Sequence, residues 1–314
     1  MQIKTICILG GSGFVGTYIA SRLCSNGYKV TILTRNKERC KHLLVLPGIQ
    51  IIETDINLQT GLEKYFNNID AVINLVGILN ERKPKSEGFR AIHLELPRKI
   101  LNACQQTRVR RLLHMSALNA DAGTSPSDYL RSKGEGENHL HAFAGKIHVT
   151  SFRPSVIFGP EDHFLNRFAK LLKLTPLAFP LACPNTRFAP VYVGDVAKCF
   201  VDALTDKSTY GQKYDLCGPE EYTLKQLVEY TGQLLQLKRH IIGLPDFLSH
   251  LQAIVFEWFP NKPFSLDNYN SLKVDSVCPS NHSQPTALET IVPSYLGNNC
   301  STAKVDYLRK QHHE

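Results

Sequence analysis

Ile6-Cys7-Ile8-Leu9-Gly10-Gly11-Ser12-Gly13-Phe14-Val15-Gly16 decides the fold. Four apolar residues in a row suit a strand buried on both faces. A glycine cluster follows, and Thr17-Tyr18-Ile19-Ala20-Ser21-Arg22-Leu23 then opens with helical spacing. Strand, glycine turn and helix in this order let a backbone approach a pyrophosphate, with the N–H groups of the helix start facing its charge. Two registers fit: Gly11, Gly13 and Gly16 form G-x-G-x-x-G, and Gly10, Gly13 and Gly16 form G-x-x-G-x-x-G. The expected nucleotide loop therefore comprises Gly10, Ser12, Gly13, Phe14, Val15 and Gly16. The bland alternative is a glycine-rich turn that holds nothing.

Working outward, strands are expected at Tyr28 to Leu33, Ile49 to Glu53, Ala71 to Val76, Arg111 to Met115 and Val149 to Phe152. Helical periodicity covers Phe89 to Cys104 and Asp128 to Phe143. Alternating strands and helices imply βαβ units, so the fold class is α/β, a doubly wound parallel sheet with a small C-terminal lobe. Residues 1–155 are expected to form the nucleotide-binding domain, and 156–314 the remaining sheet elements with a smaller substrate or docking lobe. Beyond Pro154 the pattern loosens. Ala189 to Val193 and Tyr214 to Cys217 suggest short strands, Asp195 to Leu204 a helix, and Thr223 to Leu237 a helix capped by Thr223. The stripe Phe247, Leu251, Ile254, Val255, Trp258 and Phe259 is expected in the core, with a membrane-surface or partner-binding face as the alternative.

The chain has 314 residues, 43% hydrophobic and 20% charged, which is ordinary for a globular protein with an ample core. Its nine cysteines form no C-x-x-C pair. Cys7, Cys24, Cys104 and Cys199 sit in apolar runs as expected buried thiols, which points to a reducing cytosol and no structural metal. With a strand this early no signal peptide is expected, and no apolar run is long enough to span a bilayer. The net charge of +8 is spread along the chain, and Arg108 to Arg111 is the longest basic cluster. Without a basic stripe interleaved with aromatics, nucleic acid is not an expected partner. An anionic cofactor or an anionic membrane suits the charge better. The expected location is cytoplasmic, with peripheral attachment at the inner face of a membrane as the alternative.

The end of the second strand selects the nucleotide. Thr34-Arg35-Asn36-Lys37 carries no acid to bond a ribose hydroxyl, and Arg35 could pair with a 2′-phosphate. The expected cofactor is NADP(H), with NAD as the alternative. Asp55, followed by Ile56, could accept from an adenine amino group, or serve as an ordinary turn or cap.

Tyr129-Leu130-Arg131-Ser132-Lys133 places a phenol and an ammonium one turn apart on a helix. The ammonium would stabilise the phenolate, so Tyr129 could exchange a proton with a substrate oxygen while a cofactor moves hydride. Lys133 could also reach a nicotinamide ribose. Ser116, at the end of the fifth strand, could polarise the same oxygen. Glycine loop, strand-end serine, tyrosine and lysine in this order form a specific signal. Asp162 and His163 could line the substrate pocket, though Asp162 is rather expected in the first turn of a helix. Asp195 is expected as a helix cap more than as a catalyst, and His93 as a packed histidine, with the cofactor cleft as its alternative.

With these residues in hand, the chain resembles an extended, atypical short-chain dehydrogenase/reductase. More narrowly, it resembles the family of the nucleotide-binding accessory subunit of respiratory complex I and its bacterial homologues. The likeness rests on Gly10 to Gly16, Ser116-Ala117-Leu118-Asn119-Ala120, Tyr129 to Lys133, Gly136-Glu137, Arg153-Pro154-Ser155, Phe158 to Asn166 and Pro190 to Ala197. It runs from residue 5 to about residue 205, with a fainter echo at Leu244-Pro245 and Ser265 to Asn268. The resemblance implies a Rossmann-type domain for NADP(H), with Leu75, Val76 and Gly77 bordering the cofactor and Pro154, Ser155 and Val156 near the nicotinamide. It leaves three functions open: an oxidoreductase on a small, quinone-related carbonyl or alcohol, a nucleotide-holding accessory protein of a respiratory or quinone-synthesis assembly, and a sugar-nucleotide epimerase. Asn119-Ala120 stands where epimerases carry Tyr-Gly, which counts against the last.

Overall fold

The computed structural model describes residues 3–56, 61–81, 87–259, 264–279 and 283–297. Seven strands form the main sheet: β1 (Thr5–Leu9), β2 (Lys29–Thr34), β3 (Ile49–Glu53), β4 (Ala71–Asn74), β5 (Arg111–Met115), β6 (His148–Pro154) and β7 (Lys213–Leu216). Their spatial order is β7-β6-β5-β4-β1-β2-β3. The β1–β2, β2–β3, β1–β4, β4–β5 and β5–β6 pairs are all parallel. The chain runs outward from β1 to β3 and then returns to build β4 to β7 on the other side. The order therefore reverses between β1 and β4, which is where open α/β sheets hold ligands, beyond the carboxyl ends of the strands.

The helices α1 (Phe14–Ser25), α2 (Leu96–Gln106) and α3 (Asp128–Ala142) connect these strands. β4 and β5 are buried along their whole length, as parallel strands covered on both faces must be. α2 buries Leu96, Ile100, Leu101 and Cys104 at helical spacing, against a cluster that includes Cys7, Leu9, Val72, Leu112 and Val149. β4 stops at Asn74 because the Asn74 side chain accepts the Val76 N–H at 3.2 Å and turns the chain. The helix expected from Phe89 is broken: Glu87–Arg90 is α, Ala91–Glu95 is a π turn, and α2 follows.

Arg111, from the longest basic run, is not a surface charge. It is buried at the start of β5 and donates to the carbonyls of His148 at 2.8 Å and Ala203 at 2.8 Å, and to the hydroxyls of Thr150 at 2.8 Å and Thr209 at 2.7 Å. The Tyr210 ring covers its guanidinium at 4.7 Å. Burial lowers its pKa to about 10, so it stays charged and fully bonded.

Two compact units divide the chain. One is the sheet unit up to Pro154, to which Val196–Asp215 returns. The other holds Ser155–Asp195 and the residues from Leu216 onward. The second unit contains α4 (Leu165–Leu174), α6 (Leu224–Leu234) and a parallel pair of short strands, Ala178–Leu181 with His240–Gly243. Between them in sequence, α5 (Val193–Ala203) carries the chain back to the sheet unit. α6 begins with a capping box in which Thr223 and Gln226 satisfy each other's backbone N–H groups. Phe158, Leu165, Leu172, Leu227, Val228, Leu288 and Val292 form this unit's core.

Two expectations fail in the second unit. Cys217 and Cys278, 61 residues apart, form a disulfide, so a reducing compartment does not follow from the cysteine pattern. No short motif announces a pairing made only by tertiary proximity. Cys7, Cys24 and Cys104 are buried thiols, while Cys199 is only half-buried and Cys300 lies outside the described residues. The second failure is the apolar stripe. α7 (Asp246–Glu257) buries its small residues, Ser249 and Ala253, and turns Phe247, Leu251, Ile254 and Val255 to solvent, with Trp258 and Phe259 just beyond its end. Composition could not reveal which side faces inward, because the helix is apolar nearly all round.

Candidate functional site

The glycine loop joins β1 to α1 at the strand-order reversal. Gly10 has φ +83°, a left-handed conformation that glycine adopts at no steric cost. A Cβ there would sit 3.1 Å from the Leu75 carbonyl carbon, so Leu75 and Val76 lie directly against the loop. The Gly13 N–H donates to the Gly10 carbonyl at 3.1 Å. A Cβ on Gly16 would run into that same carbonyl oxygen. Gly13 caps α1 without a side-chain hydrogen bond, and no acid lies in the first turn. The helix start therefore offers N–H donors and a positive dipole end without a competing carboxylate. Ser12, Phe14 and Val15 are half-exposed around it. This cradle fits the diphosphate of a dinucleotide.

Ser12 accepts a bond from the Thr34 hydroxyl at 3.3 Å, which ties the loop to the end of β2. Arg35 follows, exposed. The turn is not free of acids, however. Glu53, at the end of β3, accepts the Lys37 N–H at 2.9 Å. A reading of β2 alone overlooks this carboxylate, because it arrives from the neighbouring strand. Asp55 is half-buried just beyond β3, and Ile56 is buried in the core cluster below.

The second part of the site converges on α3. Lys133 is buried and its Nζ donates to the Met115 carbonyl at 3.0 Å, at the end of β5. Burial pushes the ammonium down to about 8, against the opposing pull of Glu137. A Cβ on Gly77 would lie 3.1 Å from that Nζ, which sets the loop after β4 against the lysine. The structure thus links Gly10, Leu75, Val76, Gly77, Lys133 and Met115 in one continuous run of neighbours.

Ser116, the next residue along, donates its hydroxyl proton to Glu137 Oε2 at 2.6 Å. Glu137 is fully buried. It receives the Arg153 Nε at 3.0 and 2.9 Å, the Arg153 Nη2 at 2.9 Å, and Lys213 at 3.3 Å. Two cations and the serine hydroxyl thus converge on this one carboxylate. Ser116 consequently presents lone pairs, with its only proton committed inward.

Tyr129 is half-buried at the start of α3. Its ring stands edge-on to His93 at 5.5 Å and to Phe89 at 6.0 Å. His93 occupies the π turn, a distortion frequently found at functional sites. Its Nε2 accepts the Ile78 N–H at 3.1 Å, which fixes the proton on Nδ1, 2.9 Å from the Ser132 hydroxyl. Ser132 in turn donates to the Tyr129 carbonyl at 2.9 Å. Burial, reinforced by Lys133, pushes His93 down to about 2, so it is a neutral strut between the β4 loop and α3. The turn packs so closely on α3 that a Cβ on Gly136 would strike the His93 carbonyl oxygen. His114 is also buried and held well below its usual pKa by burial and by Lys133. Its Nδ1 accepts from Asn74 at 3.2 Å.

Pro154 closes β6, and its carbonyl accepts the Leu118 N–H at 3.0 Å. Ser155 belongs to the second unit and donates its hydroxyl to the Ser276 carbonyl at 2.7 Å, while the Val156 carbonyl accepts the Val191 N–H at 2.9 Å. Asp162 lies just before α4, where it accepts the N–H groups of Phe164 at 2.9 Å and Asn166 at 3.1 Å and the Tyr295 hydroxyl at 2.7 Å. His163 is exposed. Asp195 lies in the first turn of α5 and accepts the Thr286 N–H at 3.1 Å.

Glu137 and His93 are the groups whose roles spacing alone does not reveal. The available signal was Tyr129, Lys133 and Glu137 at intervals of four, one line along a helix.

A parallel sheet with a glycine loop at its switch point and a Ser-Tyr-Lys set beside it defines a dinucleotide-binding α/β protein of the short-chain dehydrogenase type. Residues 6–217 match the NAD dependent epimerase/dehydratase family, and the chain belongs to that family. The mouse protein named NADH dehydrogenase [ubiquinone] 1 alpha subcomplex subunit 9, mitochondrial, is 31% identical over 296 residues, 90% of this chain and 77% of its own length. A ceramide reductase of Caulobacter vibrioides is 23% identical over 241 residues, 77% of this chain and 74% of its own. The crystal structure of DesIV, a dTDP-glucose 4,6-dehydratase from Streptomyces venezuelae with NAD and TYD bound, superposes with a TM-score of 0.72. It covers 93% of this chain and 95% of its own at 16% identity, which shows a shared fold.

Proposed function

We propose that this chain is an NADP(H)-binding oxidoreductase of the extended short-chain dehydrogenase/reductase type, acting on a small carbonyl or alcohol. The observation that carries the reading is the buried Lys133 ammonium. It is anchored at the end of β5 beside Ser116, one turn from Tyr129 and against Gly77. Burying this cation costs stability, and the role that accounts for its retention is to stabilise the Tyr129 phenolate as the proton leaves. The glycine loop holds the diphosphate, Arg35 meets the 2′-phosphate, and Asp55 and Ile56 border the adenine. Leu75 to Gly77 line the nicotinamide half, with Pro154 at the end of β6. When bound, the nicotinamide supplies or accepts the hydride.

Tyr129 gives or takes the proton of the substrate oxygen. Ser116 borders that oxygen, with its own proton directed to Glu137. For a carbonyl substrate Tyr129 is the donor, and for a hydroxyl substrate the Tyr129 phenolate takes the proton.

The second reading is an accessory protein that holds the nucleotide for stability and docks on a respiratory or quinone-synthesis assembly at a membrane. The likeness to the mouse respiratory subunit favours it. Three variants separate the two in cells lacking the protein. As an oxidoreductase, the protein loses function with Tyr129→Phe, at about 10²–10⁴ in rate, while NADPH affinity holds. Gly13→Val loses nucleotide and function together, and Arg35→Ala lowers NADPH affinity without altering NADH. Full rescue by Tyr129→Phe beside failure of Gly13→Val leaves only the accessory reading. Equal NADPH and NADH affinities in the unaltered protein refute the role of Arg35.

A further inference from the structure

We infer that the outward face of α7, continued through Trp258 and Phe259, is a contact surface for an anionic lipid bilayer, independent of the nucleotide site. At roughly 100° per residue, Ile254, Phe247, Trp258, Leu251, Val255 and Phe259 span an arc of about 140° on the helical wheel. No charged or hydrogen-bonding side chain interrupts that arc beyond the indole N–H. Trp258 is 87% exposed and Phe247 75% exposed. Inward lie the buried Ser249 and Ala253, with Gln252 and the half-buried Phe256 beside them. The Ser249 hydroxyl accepts the Cys183 N–H at 3.1 Å, and Gln252 donates to the Pro180 carbonyl at 3.3 Å. A helix seeking the core would turn the other way. Contiguous apolar surface of this kind marks an interaction site in a folded protein.

Charge and composition select the bilayer over a protein partner. Both acids of α7 are turned to internal donors: Asp246 accepts the Tyr269 hydroxyl at 2.7 Å, and Glu257 accepts the Leu266 N–H at 3.0 Å. Residues 165–183, whose strand pairs with the one leading into α7, and residues 233–259 together hold five Lys and Arg: Arg167, Lys170, Lys173, Lys238 and Arg239. Asp246 and Glu257 are the only acids in those two stretches. Lys170, Lys173, Lys238 and His240 are exposed, as are the apolar Leu177 and Ile242 on the paired strands and their approach. A protein contact carries on average about one hydrogen bond per 100–200 Å², and this arc offers only the indole N–H. Lipid needs only apolar area, aromatic side chains at the headgroup level and nearby cations. No helix among the described residues is long and apolar enough to cross a membrane, so the contact lies along the interface.

Trp258 is the only tryptophan of the chain and reports on this face directly. The full chain is titrated with vesicles of phosphatidylcholine alone, and with vesicles containing about one third phosphatidylglycerol. Expected on the anionic vesicles are a blue-shifted emission, quenching by acyl-brominated lipid and loss of acrylamide access, all weakened by added salt. Leu251→Gln combined with Val255→Gln, both exposed positions, should weaken partitioning by about tenfold or more while leaving the urea midpoint unchanged. The inference is overturned by an emission that no vesicle alters, or by a double variant that partitions like the parent. It is equally overturned by an indole already shielded in buffer, or by a blue shift that grows with protein concentration without lipid, which would indicate a second copy. None of these readouts involves nucleotide, so the oxidoreductase reading stands or falls separately.

Discussion

Acid should unfold this protein from the inside of the site outward, and His93 supplies the means of showing it. In the folded chain His93 accepts the Ile78 N–H and titrates only near 2. In the unfolded chain it titrates near 6.5. Its folded pKa is depressed, so the unfolded state binds the extra proton below 6.5. The stability is therefore intact above that pH and is lost as pH falls. One proton is worth about 1.4 kcal/mol per pH unit, so between pH 6.5 and 5 His93 alone costs about 2 kcal/mol. His114, buried beside Asn74 and Lys133 and facing His141, contributes in the same direction. His139 and His141 are also lowered, by burial and by neighbouring cations, and add smaller amounts. The loss is large for a domain stable by roughly 5–15 kcal/mol. Urea unfolding at pH 7, 6 and 5 measures it, in a window above the range where carboxylates titrate. His93→Gln keeps an acceptor for Ile78 but cannot take up a proton, so its stability should fall by about one proton less per pH unit. A parent protein equally stable at pH 7 and pH 5, or a variant with an unchanged slope, refutes the assignment.

Two further outcomes follow from buried charges. Lys133 titrates near 8 when folded and near 10.5 when free, so folding at neutral pH works against its charge. Lys133→Met should raise thermal stability, by about 2–3 kcal/mol at most, and on the oxidoreductase reading should also abolish turnover and weaken nucleotide binding; a destabilised variant would show that the Met115 bond outweighs the desolvation. Arg111→Leu removes the shared donor of two carbonyls and two threonine hydroxyls, and should cost about 3–5 kcal/mol in a denaturant titration; a loss below about 1 kcal/mol would mean that water takes its place.

The sequence by itself determined the sheet unit, because the signals there are local. Ile6 to Gly16 carries a buried strand, a turn that only glycine tolerates and a helix start, all within reach of short-range sterics. Arg111 to Met115 and Asp128 to Ala142 follow from apolar runs and helical spacing, and spacing four apart places Tyr129 and Lys133 on one face. Tertiary structure decided what spacing cannot encode. The proton of Ser116 points inward because Glu137, one turn beyond Lys133, is clamped by Arg153 from β6 and Lys213 from β7. The π turn at His93 exists where Gly136 lets α3 press on the His93 carbonyl. Cys217 meets Cys278 across 61 residues with no motif to announce it. α7 is apolar on most sides, so its pattern holds no directional signal. Its orientation was settled by which residues fit a confined space, and Ser249 and Ala253 are small enough to pack inward while Phe247 and Trp258 are left outside.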